Sequence, residues 1–147
     1  MSRYLIVAHQ TAESEDLLNE ARTLARRHDK AEFTLLVPAT PVQTLLVWEE
    51  GTTTDIAERT AESARRRLSR AGVNVVEARV GDADPYLAID DELRRVPDYS
   101  GILVGTLPAG VSRWLRMDLI SRVQRRCTDM EVTHLVATEQ EHAATRH

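Results

Sequence analysis

Five histidines, one cysteine and a glycine-rich turn carry the reactive chemistry of this chain, and their spacing decides how much of it is usable. The histidines are His9, His28, His134, His142 and His147. No two stand four residues apart and no carboxylate cluster sits beside them at ligand spacing, so a metal centre is not expected. Cys127 is alone, which excludes a disulfide framework and a cysteine-cluster zinc site, and it reads as a buried, inert thiol. No Gly-x-Ser-x-Gly elbow occurs. Lys30 is the single lysine among 19 basic residues and has no glycine near it, so neither a Walker loop nor a Schiff-base lysine is expected. Asp82 and Asp84 can be read as paired carboxylates, but turn and cap chemistry explains them as well. What remains is His9 and the stretch Gly105-Thr106-Leu107-Pro108-Ala109-Gly110-Val111-Ser112, which leads into a helix with Arg113 and Arg116 on one face. A turn ahead of a helix can hold an anion on its free N–H groups, with Arg113 adding a charge. The same residues also fit a plain strand-to-helix turn with Ser112 as the cap and solvated arginines behind it.

The elements that must position these residues alternate. Tyr4 to Ala8, Phe33 to Val37, Asn74 to Val80, Gly101 to Val104 and Val132 to Ala137 are short apolar runs, predicted as strands. Between them lie helix-period segments. Glu13 to His28 carries Leu17, Leu18, Ala21, Leu24 and Ala25 on one face. Asp55 to Ala71 turns Ile56, Thr60, Ala64, Leu68 and Ala71 inward, with Gly72 at its end. Asp84 and Pro85 open a third helix, with Leu87, Ala88, Ile89 and Leu93, that stops at Pro97. A last helix covers Arg113 to Arg126. Strands alternating with helices call for an open five-stranded parallel sheet with helices on both faces, and ligands in such sheets bind at the carboxyl ends of the strands where the strand order reverses. That directs attention to His9, after the first strand, and to Gly105, after the fourth. The Leu45-Leu46-Val47-Trp48 loop is more apolar than a free loop and reads as a lid, a subunit contact or a short extra helix.

Composition narrows the classes. At 147 residues the chain suits one domain, expected over residues 1–138 with a polar tail over 139–147. Hydrophobic residues make up 42% and charged residues 29%, which is globular, and no apolar run is long enough to span a membrane. The opening residues read as a strand rather than a signal peptide, so a cytoplasmic location is expected. The net charge of −4 and the few aromatics argue against a nucleic-acid binder. The arginine clusters Arg65-Arg66-Arg67-Arg70 and Arg122, Arg125, Arg126 read as solvated helix faces.

The alternating pattern, the Gly81-Asp82-Ala83-Asp84-Pro85 helix entry and Val104-Gly105-Thr106 together resemble the universal stress protein family. So do Ser112-Arg113-Trp114-Leu115, Arg122-Val123 and Val132-Thr133-His134-Leu135-Val136. The resemblance spans roughly residues 3–137 and looks like a divergent actinobacterial branch. It implies the strand order 3-2-1-4-5, a homodimer in many members and ATP binding in a subset. ATP-binding members carry Gly-x-x-Gly after the fourth strand and Gly-Ser/Thr further on. Here Gly105 matches the first glycine, but Pro108 replaces the second, and the closing pair falls on Asp118-Leu119 or Met117-Asp118. A carboxylate about 4 Å from a phosphate charge costs about 4 kcal/mol at an intermediate dielectric. After the first strand, where an aspartate is frequent, stands His9.

These departures lead to the expectation of no cofactor, with ATP bound no tighter than about millimolar. The expected function is a non-enzymatic stress-response or ligand-sensing module, paired as a homodimer through the edge strand Val132 to Ala137. The alternatives are a nucleotide binder with a remodelled phosphate loop, or an enzyme using His9 and Ser112. His9, Gly105, Thr106, Gly110, Ser112 and Arg113 form the expected site, for a small anion or a nucleotide.

Overall fold

The computed structural model describes residues 2–28, 30–40, 53–108, 114 and 118–137. Strands β1 (Arg3–Val7), β2 (Glu32–Pro38), β3 (Val75–Gly81), β4 (Gly101–Thr106) and β5 (Glu131–Val136) form one parallel sheet in the order β3-β2-β1-β4-β5. The expected order is therefore the observed one. Helices α1 (Glu15–Arg27), α2 (Thr53–Arg70), α3 (Pro85–Arg95) and α4 (Leu119–Arg126) flank it.

Strands covered on both faces need apolar residues at successive positions, and Leu5, Ile6 and Val7 are all fully buried. Ile6, Phe33, Leu35 and Leu103 pack with Leu17, Leu24 and Leu68 of α1 and α2 in one core. Leu5, Val7, Ile102 and Val104 pack with Ile89, Leu93, Leu119 and Val123 of α3 and α4 in the other. No helix among the described residues is long and apolar enough to cross a membrane.

Helix ends follow local chemistry. Ser14 caps α1 by accepting from the Leu17 N–H at 3.2 Å. Asp84 caps α3 by accepting from the Tyr86 and Leu87 N–H groups, and Asp82 accepts from the Asp84 N–H at 2.9 Å. Both aspartates are thus engaged in the turn. Gly72 lies beyond α2 at φ 92°, a conformation that favours glycine.

Four details differ from the pattern. The buried face of α2 is Ala57, Ala61, Ala64 and Leu68, while Ile56 and Thr60 are half-buried. Small alanines let the helix lie close to the sheet, a preference that hydrophobicity alone does not register. Leu87 is exposed, and its place inside α3 is taken by Glu92. Pro38 ends β2 as a member of the strand, opposite Gly81. The largest difference is at β4, which runs two residues past Val104, so Gly105 and Thr106 pair with Leu135 and Val136 instead of opening a turn.

Candidate functional site

β1 lies between β2 and β4, so the chain leaves β1 toward one side of the sheet and returns on the other. In open sheets of this kind, ligands bind beyond the carboxyl ends of the strands at such a reversal, here the ends of β1 and β4. The segment after β1 closes tightly on itself. The Ala12 N–H donates to the His9 carbonyl at 3.1 Å, and the Ser14 N–H donates to the Thr11 carbonyl at 3.0 Å, before Ser14 starts α1. Two polar side chains are trapped by this fold: His9 is 6% exposed and Thr11 is 4% exposed. Among the described residues neither ring nitrogen of His9 has a hydrogen-bond partner, and neither does the Thr11 hydroxyl. Buried polar atoms are nearly always paired, so three orphans within three residues mark this segment out.

Gly105 explains how Thr11 reaches its place. A Cβ at Gly105 would stand 2.6 Å from Thr11 Oγ1, closer than real contacts allow. Glycine at this point of β4 therefore admits the Thr11 hydroxyl against the strand. Thr106, the next residue, is 2% exposed, and its hydroxyl lies 2.7 Å from His134 Nε2 on β5. That bond ties the end of β4 to the sheet edge. The β1–β4 register pairs Val7 with Val104, and carried two residues further it sets His9 level with Thr106.

Burial pushes the His9 pKa down, because a charged imidazolium loses its water there, and burial does the same to His134. Both rings are thus neutral at pH 7. A neutral imidazole offers one donor and one acceptor and no charge.

Of the expected site residues, the structure brings His9, Gly105 and Thr106 to the ends of neighbouring strands. Gly110, Ser112 and Arg113 lie outside the described residues, as does the Leu45 to Trp48 loop. The continuous helix expected from Arg113 to Arg126 is not what forms. Asp118 adopts a left-handed conformation at φ 56° with no side-chain capping bond, and α4 begins after it at Leu119. A non-glycine residue in that region interrupts helical geometry. Sequence reasoning missed Thr11. Its one signal was position, in the segment between β1 and α1 at the strand reversal. His134 stands in the sequence reading among the histidines and in the β5 segment, and Thr106 in the turn and the expected site, but nothing in the sequence pairs the two.

The other candidate groups are occupied structurally. Cys127 is buried and its thiol is pushed up by desolvation. Glu62 pairs with Arg65 and Arg66, Arg67 with Glu15, and Arg126 with Asp90 at 3.0 Å. The Arg122 guanidinium lies 4.1 Å from the centre of the Tyr86 ring. Among the described residues no group of three His, Cys, Asp or Glu side chains is placed to hold a metal ion.

Solved structures of universal stress proteins share this fold. One from Arabidopsis thaliana, with AMP bound, superposes with a TM-score of 0.59 at 14% identity, covering 96% of this chain and 95% of that one. One from Archaeoglobus fulgidus gives 0.58 at 13% identity, covering 94% of each chain. A third, in complex with cAMP, gives 0.56 at 15% identity, covering 93% of this chain and 97% of that one. No protein-family model matches the chain, and no curated protein does. The class is therefore an α/β sandwich with the universal stress protein architecture. The expectation of no cofactor does not stand. It rested on the departures after β4, whereas two proteins of the same architecture are seen with AMP and with cAMP.

Proposed function

We propose that the chain is a universal stress protein-like module, formed by residues 1–138, that binds an adenine nucleotide at the ends of β1 and β4. The observation that carries this reading is the set of three orphaned polar atoms on His9 and Thr11, buried where the strand order reverses. An unpaired buried polar group costs about 1–3 kcal/mol, a cost that a ligand offering matching groups offsets. The neutral His9 ring supplies one donor and one acceptor, and the Thr11 hydroxyl supplies one of each. That set matches ribose hydroxyls or the edge of a base better than it matches phosphate. Gly110, Ser112 and Arg113 remain the sequence candidates for the phosphate, through backbone N–H groups, a hydroxyl and a guanidinium.

The role is binding rather than catalysis. The hydroxyl–imidazole pair of Thr106 and His134 has nucleophile-and-base geometry, but Thr106 is buried within β4, where its hydroxyl links two strands. A homodimer through β5 belongs to the same reading. β5 is a sheet edge, and Val136 at its end is 43% exposed. Two such edges pairing antiparallel make one continuous sheet about a two-fold axis. Native mass spectrometry of the purified protein tests both parts. A mass of two chains carrying adenine nucleotide supports them. A single chain contradicts the dimer, and a chain that takes up no AMP at millimolar concentration contradicts the binding role.

A further inference from the structure

The two edges of the sheet are chemically unlike. β5 reads Glu131-Val132-Thr133-His134-Leu135-Val136, with one charged residue. At the other edge β3 has a strand neighbour on one side only, β2. Its outer flank forms an open groove of about 330 Å³ lined by Val76, Glu77, Ala78 and Arg79 with Arg65 of α2 and Arg95 of α3. Three arginines and one glutamate thus line it, on a chain whose net charge is −4.

The three arginines are not equally committed. Arg79 is held by Glu77 and by buried Glu92, the latter at 3.5 Å. Arg65 has only Glu62 at 3.9 Å, and both side chains are about half exposed, so the pairing is weak. No described residue pairs with Arg95. Val76, which also lines the groove, is 41% exposed; it is the extra residue of β3 where the pairing with β2 shifts register between Val75 and Glu77.

We propose that the β3 edge is a docking surface for an extended acidic segment of a partner protein, which joins the sheet as a sixth strand. Main-chain bonds to the outward N–H and C=O groups of β3 give the affinity, and side chains facing the groove give the choice of partner. Successive side chains of a strand point to opposite faces, so adjacent carboxylates of the segment meet Arg65 on the α2 face and Arg95 on the α3 face, with an apolar side chain beside them to cover Val76. A second copy of β3 does not fit, because it sets Arg79 and the helix arginines of one copy against those of the other, and like charges facing across strands destabilise. The groove has no aromatic side chain on which a nucleic-acid base would stack. This surface is on the far side of β2 from the ends of β1 and β4, so it neither needs nor blocks the nucleotide.

The test is fluorescence anisotropy of the whole chain with a labelled peptide of about eight residues repeating Glu-Glu-Val, the length of an ordinary strand, which places carboxylates on both faces. The same peptide with Lys in place of Glu serves as the opposite-charge control. The Glu peptide binds, loses affinity as salt is raised, and protects β3 amides from hydrogen exchange. The double substitution Arg65→Glu, Arg95→Glu weakens it by about tenfold or more. Both positions lie on exposed helix surface, and the exchange measurement on the unsubstituted chain stands independently of how the variant folds. Equal binding of the Lys peptide, an unchanged affinity in the variant, or no binding at millimolar peptide overturns the proposal. The last result means that the arginines only guard the edge against pairing.

Discussion

Two buried polar clusters among the described residues are treated differently. Beneath the β3 edge, Glu92 is 4% exposed and accepts from the Tyr99 hydroxyl at 2.7 Å, while Arg79 Nε makes no hydrogen bond but stands 3.5 Å from the Glu92 carboxylate as its ion-pair partner. Burial and the neighbouring carboxylate push the Tyr99 pKa up to about 12, so the phenol keeps its proton and goes on donating. At the ends of β1 and β4, His9 and Thr11 are buried as deeply, and their side chains have no hydrogen-bond partner among the described residues. A polar group that the fold satisfies belongs to the fold. One that the fold buries without a hydrogen bond or an opposite charge calls for an explanation, and in the proposed function a ligand supplies it.

Substitutions break the comparison in order of size. Glu92→Ala removes the acceptor of Tyr99 and leaves the Arg79 charge half-buried, and it is expected to lower stability by about 3 kcal/mol in denaturant unfolding. A loss below about 1 kcal/mol would mean the cluster is not the satisfied one. His9→Leu acts in the other direction: it removes two orphaned atoms at similar volume, and a gain of about 1 kcal/mol is expected while nucleotide binding is lost. A clear loss of stability there would show that His9 has a partner after all. The smallest effect is that of pH. His9 and His134 have pKa values lowered by burial, so the unfolded chain binds protons more readily than the folded one. Their contribution is therefore fully present above the ordinary histidine value of 6.5 and is lost as pH falls below it toward the folded values. His9→Leu should flatten part of that slope in melts between neutral and mildly acidic pH, and an unchanged slope would show that His9 titrates normally.

Much of the fold is legible in the sequence because its strands are buried on both faces. Runs such as Leu5-Ile6-Val7 and Ile102-Leu103-Val104 have no other stable use in a chain that alternates with helices. The strand order came from the family resemblance, since no local pattern records which strands are neighbours. The errors share a cause. Gly105-Thr106 reads as a turn, because glycine and threonine carry little strand signal, yet the glycine is there to admit Thr11. On α2, Ala64 and Leu68 are buried as expected, but in its first turns Ala57 and Ala61 take the place of Ile56 and Thr60, because alanines fitted to a close helix–sheet contact look no more buried than Ile56. The site was legible in half: His9 stands out by type and position, whereas Thr11 is an ordinary loop residue until the fold brings Gly105 to it from far along the chain.

The central claim is that the orphaned polar atoms of His9 and Thr11 receive an adenine nucleotide. Titration calorimetry with AMP tests it most directly, on the unsubstituted chain, on His9→Leu and on Thr11→Val, with Cys127→Ser as a buried substitution away from that site. The account predicts binding to the unsubstituted chain and to Cys127→Ser, and at least about a tenfold loss in each of the other two, since a lost hydrogen-bond partner is worth about 1.4 kcal/mol or more. Equal AMP affinity in all four proteins, or none in the unsubstituted chain, would contradict it.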